Sequence, residues 1–159
     1  MATIPTLVND NVLDEIQVVL EDGEFPARQF YGSRWQQDDL PNLEAGRLKA
    51  TETPAEQLDN VLYKWIAGKE IKYDRMFKDL MPMKDEVWEL KTADLRIFGW
   101  MYQPGKFIAV FADYADLYKG TRAKKSYEDA RERVLKARAE LKLDEPKFTG
   151  GTFDDLVRV

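Results

Sequence analysis

The stretch from residue 86 to residue 114 constrains the fold most, because it holds the densest run of β-branched and aromatic residues in the chain. Two turn-forming sequences divide it, Thr92-Ala93-Asp94 and Gln103-Pro104-Gly105-Lys106. Proline presets φ at the first central position of a turn, and glycine accepts positive φ at the next. The pattern predicts a meander of three antiparallel strands, at residues 87–91, 95–102 and 107–114.

The middle strand of this meander has two unlike faces, since side chains alternate along a strand. One face combines a guanidinium with aromatic rings, from Arg96, Phe98, Trp100 and Tyr102. The other face is aliphatic, from Leu95, Ile97 and Met101, which predicts packing against helices. The aromatic face has two interpretations. It consists either of ordinary large strand residues, with Arg96 paired to a surface carboxylate, or of a platform for nucleotides or phosphates.

Two helices have clear start signals. Thr53 can cap a helix that has Pro54 at its first position and Glu56 to close a capping box, and this helix should run to Ala67 and stop at Gly68. Its apolar stripe should cover the aliphatic face of the meander and consists of Leu58, Leu62, Trp65 and Ile66. A last helix should run from Ser126 to about Leu141, above a narrow apolar seam of Ala130, Val134, Ala137 and Leu141.

The rest of the chain has weaker patterns. They favour a first strand at 15–20, a short helix at 25–31, a polar loop at 32–53 and a helical piece at 73–80. The end of the chain, 152–159, is a docked strand, a flexible end or a partner-binding peptide. The predicted fold class is α+β, in which a small antiparallel sheet, the meander plus an N-terminal strand, packs against two to three helices. We expect one domain over 1–159, with its core at about 15–143 and a flexible or docked tail at 144–159.

Composition excludes several kinds of chemistry. The chain has no cysteine and no histidine, so disulfides, thiolate metal sites, zinc hydrolysis and Ser-His-Asp or Cys-His catalysis are all excluded. Any catalysis must use Lys, Arg, Tyr, Asp, Glu or a hydroxyl group. The content of 44% hydrophobic and 33% charged residues is that of a soluble globular protein. Because there is neither a long apolar run nor a secretion-signal pattern, we expect a cytoplasmic location.

Charge is unevenly distributed along the chain. The whole chain has a net charge of −5, yet residues 118–142 hold nine basic and four acidic side chains, a local balance of +5 that leaves −10 for the remainder. This asymmetry is typical of a phosphate-facing patch on an otherwise acidic protein. It is also found on helices whose charged face is only solvated.

Several motifs occur together in an order that resembles a known family. These are Trp88-Glu89-Leu90, then Leu95-Arg96-Ile97-Phe98, then a lysine-rich loop at 119–125 and the helix beginning at Ser126. Over about residues 16–141 the chain is similar to the HigB-like branch, which includes phage-derived members, of the RelE toxin superfamily. It departs from the family, whose members are usually basic, in its negative net charge. It also departs in residues 115–123, which are inserted before Lys124-Lys125.

The resemblance implies a RelE-like fold and a ribosome-associated endoribonuclease. Such an enzyme cleaves mRNA by attack of a ribose 2′-hydroxyl on the adjacent phosphate, and it needs no cofactor or metal. Its implied partners are the ribosome with its mRNA and a helix-turn-helix antitoxin, with no membrane association. Arg96 would clamp the phosphate, because its planar fork binds two oxygens. The implied sources of further positive charge, and of the base, are Lys119, Arg122, Lys124 and Lys125. The implied base-stacking side chains are Trp100, Tyr102 and Tyr114.

Two other functions fit the same sequence. The first is a non-catalytic phage or prophage protein that keeps the fold and inhibits or modulates a host protein, which would explain the acidic total, the insertion and the missing histidine. The second is charge mimicry, in which the acidic N-terminal portion imitates the charge of a nucleic acid and blocks a basic host site.

Overall fold

A computed structural model of the protein describes residues 1–33 and 52–159. The predicted loop at 32–53 therefore falls mostly on residues 34–51, which lie outside the described residues. The described part contains four α-helices, named α1 to α4 in chain order: Ile4–Asn9, Pro54–Ile66, Tyr127–Glu140 and Phe153–Val157. It also contains six strands, β1 to β6: Leu13–Glu15, Gln29–Ser33, Phe77–Asp79, Trp88–Lys91, Leu95–Gln103 and Lys106–Tyr114.

The strands form one mixed sheet in the order β1-β2-β6-β5-β4-β3. Strand β2 runs parallel to β6, whereas all the other neighbours are antiparallel. The predicted α+β class is confirmed. The predicted sheet, however, was too small and wholly antiparallel. It lacked β2 and β3, and β2 is the parallel strand that joins β1 to β6.

The meander itself is confirmed as β4, β5 and β6. Gly105 has a φ of +75° in the tight turn between β5 and β6, as the Pro-Gly signal predicted. The β5–β6 register shifts between Phe98 and Gly99. Because of this bulge, Val110 and Phe111 both pack on the same side of the sheet even though they are consecutive.

Three local predictions were wrong. The segment predicted as a helix at 25–31 leads into strand β2, whose residues pair with β6. The segment predicted as a helical piece at 73–80 is a tight turn followed by strand β3, which pairs with β4. The first strand ends at Glu15 instead of running over 15–20. In each case the deciding hydrogen bonds come from a partner strand, and local sequence contains no information about that partner.

Both faces of the sheet are covered. Helix α2 packs on the aliphatic face, as predicted, and its Trp65 lies in a core with Leu95, Ile97 and Met101. On the aromatic face, helix α3 places Ala130 and Val134 against Phe98 and Trp100, and α1 adds Ile4 and Leu7 to this second core. The aromatic face is thus an interior surface of the protein.

The helix caps follow the sequence signals. Thr53 and Glu56 form the predicted capping box on α2, and Gly68, just past its end, has a φ of +74°. Ser126 caps α3 through its side chain. The end of the chain forms α4, a short docked helix, and Leu156 inserts its side chain completely into the α2-side core.

Candidate functional site

The candidate site is centred on Arg96, near the start of β5. Arg96 lies opposite Lys91 of β4 and Asp113 of β6 in the sheet register, so the three side chains leave the sheet on the same face. The Arg96 side chain is 5% exposed. Its Nη1 donates to the carbonyl oxygens of Thr92 at 2.6 Å and Leu95 at 2.9 Å. This residue therefore braces the β4–β5 turn, and its Nε has no partner among the described residues.

Asp113 links the sheet to the basic loop that precedes α3. One of its oxygens, Oδ2, accepts from the Nζ of Lys125 at 2.5 Å and from the hydroxyl of Tyr118 at 3.1 Å. The other oxygen, Oδ1, accepts from the backbone N–H of Tyr114 at 3.0 Å. Burial first, and then the neighbouring carboxylate, raise the pKa of Tyr118 well above that of a free tyrosine. Tyr118 thus stays protonated and donates to Asp113.

The loop at 119–125 begins after a single turn of 3₁₀-helix, Ala115–Tyr118, and ends at the cap of α3. The backbone N–H of Lys125 donates to the carbonyl oxygen of Leu117 at 2.9 Å, which closes the loop on itself. Lys119, Arg122 and Lys124 are exposed along it. Residues 115–123 therefore bring the cationic loop back to the Arg96 end of the sheet, where Lys125 binds Asp113.

The three aromatic residues that were predicted to stack on bases do not join this cluster. Trp100 has no exposed surface, and its indole N–H donates to the carbonyl oxygen of Lys147 at 2.9 Å. Tyr114 is buried on the opposite face, in the α2-side core. Tyr102 is partly exposed but lies six residues, about 20 Å, along β5 from Arg96. A base cannot reach Trp100 or Tyr114 in this fold, because α3 and α2 cover the two faces on which they lie.

Sequence reasoning missed three neighbours of Arg96: Glu89, Lys91 and Tyr127. Glu89 is buried, and burial raises the pKa of its carboxyl group, although nearby Arg96 lowers it. Burial lowers the pKa of Lys91, with Arg96 acting in the same direction. Burial raises the pKa of Tyr127, as does Glu89. Glu89 and Lys91 are alternate residues of β4 and pair with Phe98 and Arg96 of β5. They therefore lie on the Arg96 face of the sheet, and extending the alternation of side chains to β4 would have found them.

The arrangement supplies groups that bind anions and move protons. The cations Lys119, Arg122 and Lys124 are exposed on the loop. Burial lowers the pKa of Lys91, which favours its neutral, proton-accepting form. Across residues 1–33 and 52–159 there is no cluster of three or more side chains able to hold a metal ion. No helix in those ranges is both long and apolar enough to cross a bilayer.

Comparisons with protein-family models, with curated proteins and with solved structures find no match to this chain.

Proposed function

We propose that this protein is a RelE/HigB-like toxin, an endoribonuclease that cleaves ribosome-bound mRNA in the cytoplasm. The observation that supports this most is the meeting of three features at one end of the sheet. Arg96 and Asp113 lie side by side on neighbouring strands, and Lys125 binds Asp113 at the end of a loop that carries three exposed cations. Such a concentration of positive charge on an acidic protein suits a phosphate backbone.

The proposed reaction is attack of a ribose 2′-oxygen on the adjacent phosphorus. The bond from phosphorus to the 5′-oxygen of the next nucleotide breaks, and this oxygen takes a proton from solvent water. The products are a 2′,3′-cyclic phosphate and a 5′-hydroxyl. Lys91 is the candidate base for the 2′-hydroxyl proton, because its lowered pKa increases the neutral fraction. The exposed cations of the loop, Lys119, Arg122 and Lys124, would stabilise the charge on the phosphate. Arg96 is buried and donates hydrogen bonds to two carbonyl oxygens. In this scheme it acts by holding the β4–β5 turn beside Lys91.

Controlled expression in a bacterial host tests the proposal. We expect growth arrest within one or two generations and new transcript 5′ ends that carry a hydroxyl group. A variant with Lys119→Gln, Arg122→Gln and Lys124→Gln should restore growth, since it removes only exposed charges. The matched control removes the same charge elsewhere, through Lys84→Gln, Lys136→Gln and Lys142→Gln, and should remain toxic. Full toxicity of the loop variant would contradict the proposed role of the loop.

Arg96→Ala gives a second measurement. We expect it to abolish toxicity, and because Arg96 braces a turn, soluble yield and melting temperature must be measured beside growth. Arg96→Lys, which keeps the charge but loses the two-carbonyl geometry, separates charge from positioning. A folded Arg96→Ala protein that still arrests growth would remove Arg96 from the site.

A non-catalytic binding protein on this fold is the second candidate. One specific observation favours it: Arg96, Trp100 and Tyr114 are buried, so few of the residues implied for catalysis can touch RNA directly. In this case the protein accumulates in the host without harm and without new transcript ends. Purification of a stable host partner with the wild-type protein would then support binding rather than cleavage.

A further inference from the structure

A second basic surface lies away from the 119–125 loop. It is a groove of about 900 Å³ between helix α2, the turn that precedes β3 and the β4–β5 turn. Five cations line it: Lys64, Lys69, Lys72, Arg75 and Lys91. Only two acidic side chains, Glu52 and Glu70, line it with them. We refer to this surface as the α2 groove.

Two of the five cations in the α2 groove form ion pairs. Lys69 pairs with Glu24 at 2.6 Å, and Lys91 lies 3.9 Å from Asp74. The other three cations, Lys64, Lys72 and Arg75, form no ion pair with any residue in the described ranges. An acidic protein that gathers unpaired cations along one groove has a surface suited to an anionic ligand.

The backbone holds these cations in place. Asp74 adopts the left-handed conformation, with a φ of +66°, and its N–H donates to the carbonyl oxygen of Phe77 at 3.0 Å. The carbonyl oxygen of Lys72 accepts from the N–H of Met76 at 2.9 Å. On the opposite wall, the N–H of Lys69 donates to the carbonyl oxygen of Lys64 at 2.9 Å. Both walls are hydrogen-bonded turns, so binding requires little ordering of the backbone.

The α2 groove reaches the β4–β5 turn, which Arg96 braces from the other face of the sheet. Thr92 and Lys91 line the groove, and the carbonyl oxygen of Thr92 accepts from Arg96 Nη1 at 2.6 Å. Lys91 and Arg96 are also register partners in neighbouring strands.

We propose that the α2 groove binds the phosphate backbone of single-stranded RNA. The inference deepens the proposed function and depends on it for the choice of RNA among polyanions. Lys64, Lys72 and Arg75 contact phosphates without reading the bases, because cations at the ends of long side chains recognise charge rather than base edges.

Fluorescence anisotropy with the purified full chain tests this inference. The probe is a fluorescein-labelled 2′-O-methyl oligouridylate of about 12 nucleotides. It carries no free internal 2′-hydroxyl, so it cannot be cleaved by the proposed reaction, and binding is measured whether or not the protein is a nuclease. Salt is varied between about 50 and 200 mM.

The variant Lys64→Gln/Lys72→Gln/Arg75→Gln should weaken binding about tenfold or more at the lowest salt. The slope of log affinity against log salt should fall in magnitude by about 2, since each lost phosphate contact on a single strand removes roughly 0.7. The control Lys84→Gln/Lys136→Gln/Lys142→Gln removes the same charge outside the groove and should leave both quantities nearly unchanged.

Two outcomes overturn the inference. In the first, the groove variant and the control bind the RNA equally well. In the second, polyglutamate of equal charge displaces the RNA from the wild-type protein, and the groove variant loses both ligands together, which identifies a site for acidic protein. Failure of the proposed function appears differently, as harmless expression without transcript cleavage, and leaves this binding measurement intact.

Discussion

The Nε of Arg28 donates to the carbonyl oxygen of Val157 at 2.7 Å, which joins the segment before β2 to the last turn of the chain. The Nη1 of the same guanidinium donates to the carbonyl oxygens of Lys69 at 3.0 Å and Trp65 at 3.2 Å. One buried side chain therefore donates to carbonyl groups at and just beyond the end of α2 and at the end of α4, where helices leave carbonyl groups without their regular partners.

Loss of the Arg28 guanidinium should destabilise the protein strongly. We expect Arg28→Leu to lower the free energy of unfolding by about 2–4 kcal/mol, because several buried carbonyl groups lose a charged donor. Urea unfolding followed by tryptophan fluorescence measures this. Arg158→Leu, at a side chain that is 77% exposed, is the matched control and should change stability by less than about 0.5 kcal/mol. Equal effects of the two substitutions would contradict a capping role for Arg28.

Protonation of Glu24 should make the free energy of unfolding depend measurably on pH. Its carboxylate accepts from Lys69 at 2.6 Å and from the hydroxyl of Tyr63 at 2.6 Å, and these bonds lower the pKa of Glu24 to about 2. A lowered pKa means that the ionised group stabilises the fold above its ordinary pKa, near 4.5, and that this contribution disappears as pH falls towards 2.

We therefore expect Glu24→Gln to be less stable than the wild type at pH 7 and equally stable near pH 2. The loss should be small, because the pair lies at the surface. A carboxyl NMR titration gives the pKa directly. Tyr63→Phe removes one of the hydrogen bonds and should move the Glu24 titration upward, towards that of a free glutamate. A Glu24 midpoint near 4.5 in the wild type would contradict the bonding described.

Gly99 should tolerate no side chain. A Cβ built on this residue would lie 2.0 Å from the carbonyl oxygen of Ile108 and 2.9 Å from the Cα of Ala109. Both atoms belong to the backbone of β6, which is paired on its other side with β2 and cannot move away. We expect Gly99→Ala to cost about 3 kcal/mol or more in unfolding experiments.

Gly120→Ala provides the comparison for that value. Gly120 has a φ of +79° but no atom within 4 Å of a built Cβ, so only its backbone conformation is strained, at a cost of about 1 kcal/mol. A Gly99→Ala protein no less stable than Gly120→Ala would mean that the β5–β6 bulge is wider than described.

Substitution of two neighbouring lysines in the basic loop, Lys124 and Lys125, should change the free energy of unfolding by different amounts. Lys125 binds the buried carboxylate of Asp113, whereas Lys124 is exposed and free of such a contact within the described residues. We expect Lys125→Met to lower the free energy of unfolding by about 1 kcal/mol, a modest value because the lysine side chain is 49% exposed. Lys124→Met should change stability by less than about 0.5 kcal/mol. The reverse order would exclude Lys125 as an anchor of the loop.

Sequence patterns predicted much of the scaffold and less of the site. The meander, the capped helices α2 and α3, and the assignment of the two faces of β5 are confirmed, because turn residues, caps and alternation are local properties. The Arg96 neighbours Glu89 and Lys91 were missed, since their importance arises from burial between strands. Stacking of bases on Trp100 requires that this side chain be exposed, whereas it is buried. No local sequence pattern indicates that α3 covers this face.

The sequence by itself determined where the chain turns, where helices α2 and α3 begin, and that no histidine or thiol chemistry is available. Only the tertiary structure decided that the segment before residue 33 adds a parallel strand to the meander and that a buried network connects Lys125 to Asp113. It alone brought Lys64, Lys72 and Arg75 into one groove. The physical reason is the same throughout: turns and caps depend on residues within a few positions of each other, whereas strand pairing, burial and charge clustering depend on residues that are distant in sequence.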